Sequence, residues 1–404
     1  MIENSVARVL IAPDSFKGSA MSTEIAEWIA EGWRAVRPLD QIVLKPMADG
    51  GEGTLLAIES SLEDTTRITQ SVMGPDNRSH NAFWLLTDDG VAIVELASIC
   101  GIGHLANSGQ LDPMGAHTFG LGQVLYDIAR DSDIGAVLVA LGGSASTDGG
   151  TGALRALGFR FRKSNGEDIA MGARDLAQIV EIDATHAATP PPGALIYLVD
   201  VTNPLLGASG AAHTFAPQKG ASAEEVLLLD EGLKNFQRMC EVSDSPGAGA
   251  AGGVAYGLSS LWGGQIRSGA RTVAAITKLP EQIELADIVI TGEGHLDTQS
   301  FGGKVVGTLA EFVKLKNQGR ESGPQTRLGI IAGGVDEVLE TEISASSNGL
   351  LRSAGFFGLE TLIEVAGDRE SAIQDVRAAT ISASSLLASR YGEEMLEALA
   401  TIGI

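Results

Sequence analysis

The chain has 404 residues, 44% of them hydrophobic, and a formal net charge of −23. That length and apolar share give ample core and point to two domains. The acidity excludes a nucleic-acid binder, which needs clustered Lys and Arg, and means that any anionic substrate must be drawn by local cations. Glycine supplies 51 of the residues, about 13% against a typical ~7%. It clusters at strand ends without a period, so collagen-like and low-complexity classes are excluded. No apolar run approaches the ~18 residues of a membrane span, and the N-terminus MIENSVARVLIAPDS enters a strand without a signal-peptide pattern, so a cytoplasmic protein is expected. Cys100 and Cys240 fit a reducing compartment, offer no metal framework and are expected to pack in the core.

In chain order, Val9 to Ala12 reads as a strand that empties into Pro13-Asp14-Ser15-Phe16-Lys17-Gly18. Ile25, Ile29, Trp33 and Val36 then recur at helical spacing, with Ser22 or Thr23 placed to cap the start. A strand at Ile42 to Leu44 runs into Met47-Ala48-Asp49-Gly50-Gly51-Glu52-Gly53-Thr54, and another is expected at Val91 to Leu96. Val137 to Leu141 meets Gly142-Gly143-Ser144-Ala145-Ser146-Thr147-Asp148-Gly149-Gly150, and Leu195 to Val199 meets Asp200-Val201-Thr202-Asn203-Pro204. The buried strand ending at Ile290 opens on Glu293, Asp297 and Gln299, then on Gly302-Gly303-Lys304 at the start of a helix. Strands near Leu328 to Ile331 and Gly355 to Phe357 complete the series. Segments 189–193 and 320–324 read as surface loops.

Strands alternating with helices predict an α/β fold, and acids and glycines beyond so many strand ends predict one ligand cleft at the carboxyl edge. Met73-Gly74-Pro75-Asp76 is turn chemistry. It is read as the point where the chain leaves a first domain, with Lys278 to Leu285 as its return. The expectation is a discontinuous, doubly wound, Rossmann-like parallel-sheet domain over 1–75 and 285–404. A second α/β domain is inserted over 76–284, with the active site in the cleft between the two.

Standard nucleotide signatures fail. Gly247-Ala248-Gly249-Ala250-Ala251-Gly252 spells GxGxxG but follows no strand and lacks an acid about 20 residues on, which speaks against an NAD-dependent dehydrogenase. Gly303-Lys304 lacks the spacing and hydroxyl residue of a P-loop. A hinged small-anion binding protein is the non-enzyme reading, and the missing export signal speaks against it.

The segments APDSFKGSAMS, PMADGGEGT, ALGGSASTDGGTGAL, DVTNPLLGASGA with FAPQKGA, GAGAAGGVAYGL and ITGEGHLDTQSFGGKV, in this order, resemble the bacterial glycerate kinase family that forms 2-phosphoglycerate. The resemblance spans essentially the whole chain and departs at Ala20 and at His295, where arginine is common. It implies a two-domain α/β kinase acting on D-glycerate with ATP and Mg²⁺ as a monomer or homodimer. The choice of the 2-hydroxyl rests on the resemblance alone.

Phosphoryl transfer requires acceptor, γ-phosphate and metal held in line, with positive charge against the developing negative charge. Mg²⁺ takes oxygen ligands and keeps waters, so Asp49, Glu52, Glu293 and Asp297 are its candidates. Gly142, Gly143, Ser144, Thr147, Asp148 and the glycines at 149 and 150 are candidates for a phosphate cradle. Asp14, Ser15, Lys17, Asn203, Lys219 and Lys304 are further candidate contacts for glycerate or phosphate. For the general base, Asp200 at the end of an apolar strand comes first, Asp297 second and Asp148 third. Each of the three also suits a cap or turn role.

Overall fold

A computed structural model describes residues 6–106, 109–319, 324–344 and 348–401, with side chains at 344 and 395–401 not described. Of the loop expected at 320–324, residues 320–323 therefore lie outside the described residues. The chain forms two compact units, one made of 1–49, 56–63 and 270–404, the other of 50–55 and 64–269.

The first unit holds a five-stranded sheet in the order Phe356–Thr361, Arg327–Ala332, Ile288–Glu293, Arg8–Ile11, Gln41–Leu44. Every pairing is parallel. Strand Ile288–Glu293 is buried along its whole length, as the apolar run predicts for a strand covered on both faces. The chain starts inside the sheet, adds one neighbour outward and then adds the later strands on the other side, which is the flavodoxin-like form of the doubly wound fold. The order reverses between Arg8–Ile11 and Ile288–Glu293, so the crevice beyond their carboxyl ends is where such a sheet binds ligands.

Helix Ser22–Val36 buries Ile25, Ile29 and Trp33 as their spacing predicts, although it starts at Ser22 with Met21 as its cap residue. Helix Val376–Thr401 lies against it so closely that a Cβ on Gly32 would stand 2.2 Å from the Ile381 carbonyl. Ser384 Oγ donates to the Ile29 carbonyl at 2.6 Å, and Tyr391 packs between Trp33 and Phe357 with ring centroids 6.2 and 5.6 Å away.

The second unit holds a six-stranded sheet in the order Gln265–Ser268, Leu195–Val199, Ala136–Ala140, Val91–Glu95, Ser79–Thr87, Thr65–Met73. The first four run parallel and the last two form an antiparallel hairpin at the edge. That hairpin corrects one expectation. Met73-Gly74-Pro75-Asp76 is a turn, but it joins two strands of one sheet, with Gly74 N–H on the Arg78 carbonyl at 2.8 Å and Asn77 at φ 68°. The alternation of Thr65–Met73 is too polar to stand out, because only Val72 in it is buried. The core of this unit includes Phe161, Phe236 and Tyr256 in edge-on contact, and each fully buried large apolar side chain contributes about 1.5–3 kcal/mol. Cys100 and Cys240 are free thiols pushed up to about 12 by burial, which fits their expected packing role.

Glu95 ends strand Val91–Glu95 deep in this unit and receives the Leu55 N–H at 3.0 Å, with Gly53 and Thr54 N–H groups alongside. These are orphan donors at the start of helix Thr54–Ser61, so the carboxylate serves as that helix's cap from outside it. Burial outweighs the three N–H groups, and together with the nearby Glu52 it pushes Glu95 up to about 7. A carboxyl raised from the ordinary 4.5 binds its proton more tightly in the folded state, so this group costs stability as pH rises from about 5 to 8. Glu95→Gln keeps an acceptor oxygen without the charge. Its unfolding free energy relative to wild type is expected to improve by about 2–3 kcal/mol between pH 5 and pH 8, and a pH-independent difference in denaturant midpoints would refute the assignment.

Candidate active site

At the reversal point of the five-stranded sheet, Ala12 N–H bonds to the Ile290 carbonyl and Asp14 N–H to the Gly292 carbonyl, both at 2.8 Å. The first loop is thereby tied alongside the strand that carries Glu293. Ser15 N–H turns back onto Asp14 Oδ1 at 2.6 Å, and Gly18 at φ 78° closes the turn. Lys17 is exposed, and a Cβ on Gly18 would meet nothing within 4 Å. Met47 N–H bonds to the Pro13 carbonyl at 2.8 Å, which brings the segment bearing Asp49 to the same edge.

Glu293 is buried, and its Oε1 has no hydrogen-bond partner among the described residues. Burial is the main reason that its carboxyl is pushed up to about 7; Asp297 and Asp49 push the same way, and Ser300 and Lys304 oppose them. A buried carboxylate oxygen without a donor, beside two further carboxylates, is the environment a cation relieves. No three carboxylate, imidazole or thiol groups form a ready cage among the described residues. Mg²⁺ needs only one or two carboxylates with water, so Glu293, Asp49 and Asp297 fit it.

Asp297 also caps the short turn Thr298–Phe301, with Oδ1 accepting Ser300 N–H at 2.9 Å. Lys304 precedes helix Val305–Gln318, whose first turn has no side-chain cap, and Gly303 at φ 115° has nothing within 4 Å of a Cβ position. His295 is exposed and bonds Asp336 Oδ1 at 2.7 Å, which ties the loop to the one after Arg327–Ala332.

In the six-stranded unit, the parallel strands deliver Gly142 to Gly150 and Asp200 to Asn203 to one edge. The glycine loop is organised around Asp148, which is fully buried. Its Oδ2 accepts Thr118 N–H at 3.0 Å, Thr118 Oγ1 at 2.8 Å and Gly152 N–H at 3.1 Å; its Oδ1 accepts Gly150 N–H at 3.1 Å and Ser146 Oγ at 3.2 Å. With both oxygens so engaged, Asp148 is a structural centre and is unsuited to the base and phosphate-contact roles expected of it.

The cradle expectation is redirected too. A Cβ on Gly142 would stand 2.4 Å from Gly51 Cα, one on Gly143 3.1 Å from Ala97 Cβ, one on Gly149 3.0 Å from the Phe236 ring, and one on Gly150 3.3 Å from Val254 Cα. Protein packs against the Cβ side of these glycines, although Gly143 itself is exposed. Ser144 is buried and shares its hydroxyl with Ser146, and Thr147 Oγ1 is buried with no partner among the described residues.

The GxGxxG match has the same explanation. Ala251, Gly252 and Gly253 form a left-handed turn, and a Cβ on Gly252 would lie 2.3 Å from the Ser146 carbonyl. These glycines pack backbone on backbone, which removes the dinucleotide reading. Lys219 is buried as well, and its Nζ donates to the Ser146 carbonyl. Asp200 is half-buried at the end of Leu195–Val199. Asn203 donates from Nδ2 to the Ser209 carbonyl at 2.7 Å and so stabilises its own loop. Glu52 sits on the Gly50–Leu55 segment with Glu95 as its electrostatic neighbour.

Sequence reasoning missed Glu95, Thr118 and Ser300. An acid closing the apolar run Val91 to Glu95 is the same signal that singled out Asp200, so Glu95 was findable. Thr118 and Ser300 carry no such mark. Among the described residues, no helix is long and apolar enough to cross a membrane.

Residues 9–342 match the model of the glycerate kinase family. A protein of Escherichia coli K12 named glycerate 2-kinase is 36% identical over 315 residues, covering 76% of this chain and 82% of the relative. A glycerate kinase of Halalkalibacterium halodurans is 37% identical over 314 residues, with 76% and 82% covered. The crystal structure of a protein assigned as glycerate kinase 2 from Salmonella typhimurium LT2 superposes with a TM-score of 0.75 at 29% identity, covering 97% of this chain and 100% of that one. Family model, relatives and fold agree along the chain, and the chain belongs to the glycerate kinase family.

Proposed function

We propose that this protein transfers the γ-phosphoryl group of ATP to the 2-hydroxyl of D-glycerate, giving 2-phospho-D-glycerate and ADP. The observation that carries the reading is the switch-point edge, where a buried Glu293 carboxyl with an unpartnered oxygen stands among Asp49, Asp297 and Lys304. A cation-binding carboxylate set beside a lysine that opens an uncapped helix suits a metal-bound polyphosphate. The name of the Escherichia coli relative supports the 2-hydroxyl over the 3-hydroxyl.

One or two of Glu293, Asp49 and Asp297 would hold Mg²⁺ together with water, and the ion would supply charge against the phosphates. Lys17 and Lys304 supply the positive charge that a −23 chain must concentrate locally to hold anions. Gly18 and Gly303, beside these lysines, have open surroundings and positive φ, so backbone there can approach phosphate oxygens. Asp200 takes the acceptor hydroxyl's proton as general base. It is preferred for its place, half-buried at the carboxyl end of the apolar strand Leu195–Val199. Asp148 positions the glycine-rich loop without touching substrate.

Phosphorus NMR of the protein incubated with D-glycerate, ATP and Mg²⁺ is expected to show 2-phosphoglycerate. A 3-phosphoglycerate signal would keep the kinase and overturn the regiochemistry, and no phosphorylated product would reject the reading. Asp200→Asn should lower kcat by about 10²–10⁴-fold while nucleotide binding is retained, and near-normal turnover would remove Asp200 from the chemistry. Lys17→Ala should raise the KM for ATP or glycerate roughly ten- to hundredfold, the worth of one hydrogen bond to a charged group; unchanged steady-state constants would take Lys17 out of the site.

A further inference from the structure

We propose that Lys219 is a positioning residue for the 142–152 loop, its buried ammonium holding the Ser146 carbonyl behind the Asp148 carboxylate, and that it makes no contact with substrate. The side chain leaves the short turn Pro217–Lys219, which follows helix Ala211–Phe215 and ends at Gly220 with φ 92°. Lys219 is 3% exposed, and its Nζ donates to the Ser146 carbonyl. The same residue's hydroxyl donates to Asp148 Oδ1, and Asp148 in turn receives the N–H groups of Gly150 and Gly152. Lys219, Ser146 and Asp148 thus form one chain of contacts that sets where the loop's backbone runs.

A buried charge is a poor device for stability alone, since well-packed apolar residues of similar volume usually do as well or better. What it adds is orientation. A methionine in its place would fill the volume and leave the Ser146 carbonyl with only the longer bond from the Ser144 hydroxyl, at 3.3 Å. Gly252 also packs against that carbonyl and cannot replace the bond, because its contact is steric.

Burial pushes Lys219 down to about 8, with Asp148 opposing the shift. The turn's own Pro217 and Gln218 bring no charge. His117 couples to Asp148 from the segment before helix Phe119–Arg130, and burial pushes it below the usual imidazole range. Lys219 therefore loses its charge as pH rises through about 8. Stability moves the other way: a lysine depressed from 10.5 in the folded state binds fewer protons there than in the unfolded chain, so its contribution rises with pH between about 8 and 10.5. The neutral amine donates a weaker bond than the ammonium, so loop order is expected to fall above pH 8 while this group's contribution to stability rises.

The proposal rests on the kinase reading only for its activity readout, so the first measurement does not use activity. Hydrogen–deuterium exchange of peptides covering 142–152, corrected for intrinsic rates, is compared in the full-length wild type and Lys219→Met at pH 7 and 9. Exchange in Lys219→Met is expected to be at least ~10-fold faster at pH 7 in this loop alone, matching a lost charged hydrogen bond, with a melting temperature equal to or above wild type. Its kcat/KM should fall by a similar factor and lack the alkaline limb expected of wild type near pH 8. Unchanged loop exchange, or activity and melting temperature falling together with no change in pH profile, would overturn the proposal. If the variant does not fold, wild type decides: corrected loop exchange should rise between pH 7 and 9 while the melting temperature does not fall, and a flat response rejects the idea. A wild type inactive on glycerate but with the expected exchange pattern would refute the kinase reading and leave Lys219's role standing.

Discussion

The buried carboxylate of Asp148 is the constraint on which the six-stranded unit's functional edge depends. Taking such a group out of water costs several kcal/mol unless its lone pairs are met. Here they are met by the N–H groups of Thr118, Gly150 and Gly152 and the hydroxyls of Thr118 and Ser146. The donors come from the middle and the end of the loop and from the residue before helix Phe119–Arg130, so one side chain ties these segments together. Thr118 Oγ1 also receives the Ala153 N–H at 3.0 Å, which carries the network into helix Thr151–Ala156. Removing any one donor would leave a buried acceptor short, the expensive half of a hydrogen bond.

Glycine has two different jobs in this chain. At Gly142, Gly149, Gly252 and Gly257 the missing Cβ lets another strand of the protein approach, in the last case to 1.9 Å of the hypothetical Cβ. At Gly18 and Gly303 the residue adopts positive φ and faces open space. Both of these glycines lie in loops of the five-stranded unit, where exposed Lys17 and half-buried Lys304 also stand.

The five-stranded sheet gives those loops their place. Its order reverses beside strand Arg8–Ile11, so the loops leaving that strand and Ile288–Glu293 stand at the edge where a doubly wound sheet binds its ligands. Glu293 is the last residue of its strand, which explains both its burial and its raised affinity for a proton. The same geometry recurs at Glu95, where the chain's own helix start supplies the partners.

The parallel strands, the helix at Ile25 to Trp33 and the sites of acid and glycine at strand ends were legible in the sequence, because burial on two faces demands continuous apolar runs and loops demand turn residues. The family was legible for a related reason: its motifs are local and ordered along the chain. The hairpin Thr65–Met73 with Ser79–Thr87 was not, since an edge strand half in solvent has almost no pattern. Nor could the sequence alone tell Asp148 from Asp200, or Lys219 from Lys17. All four sit in glycine-bearing or turn-rich loops after apolar segments, and what separates them is which donors and carbonyls other segments bring against them. Asp148 meets donors from residues 30 positions away and Lys219 a carbonyl 73 positions away. Pairings of that range are properties of the folded chain, so local composition chose the residue types and tertiary packing decided which are structural and which remain for chemistry.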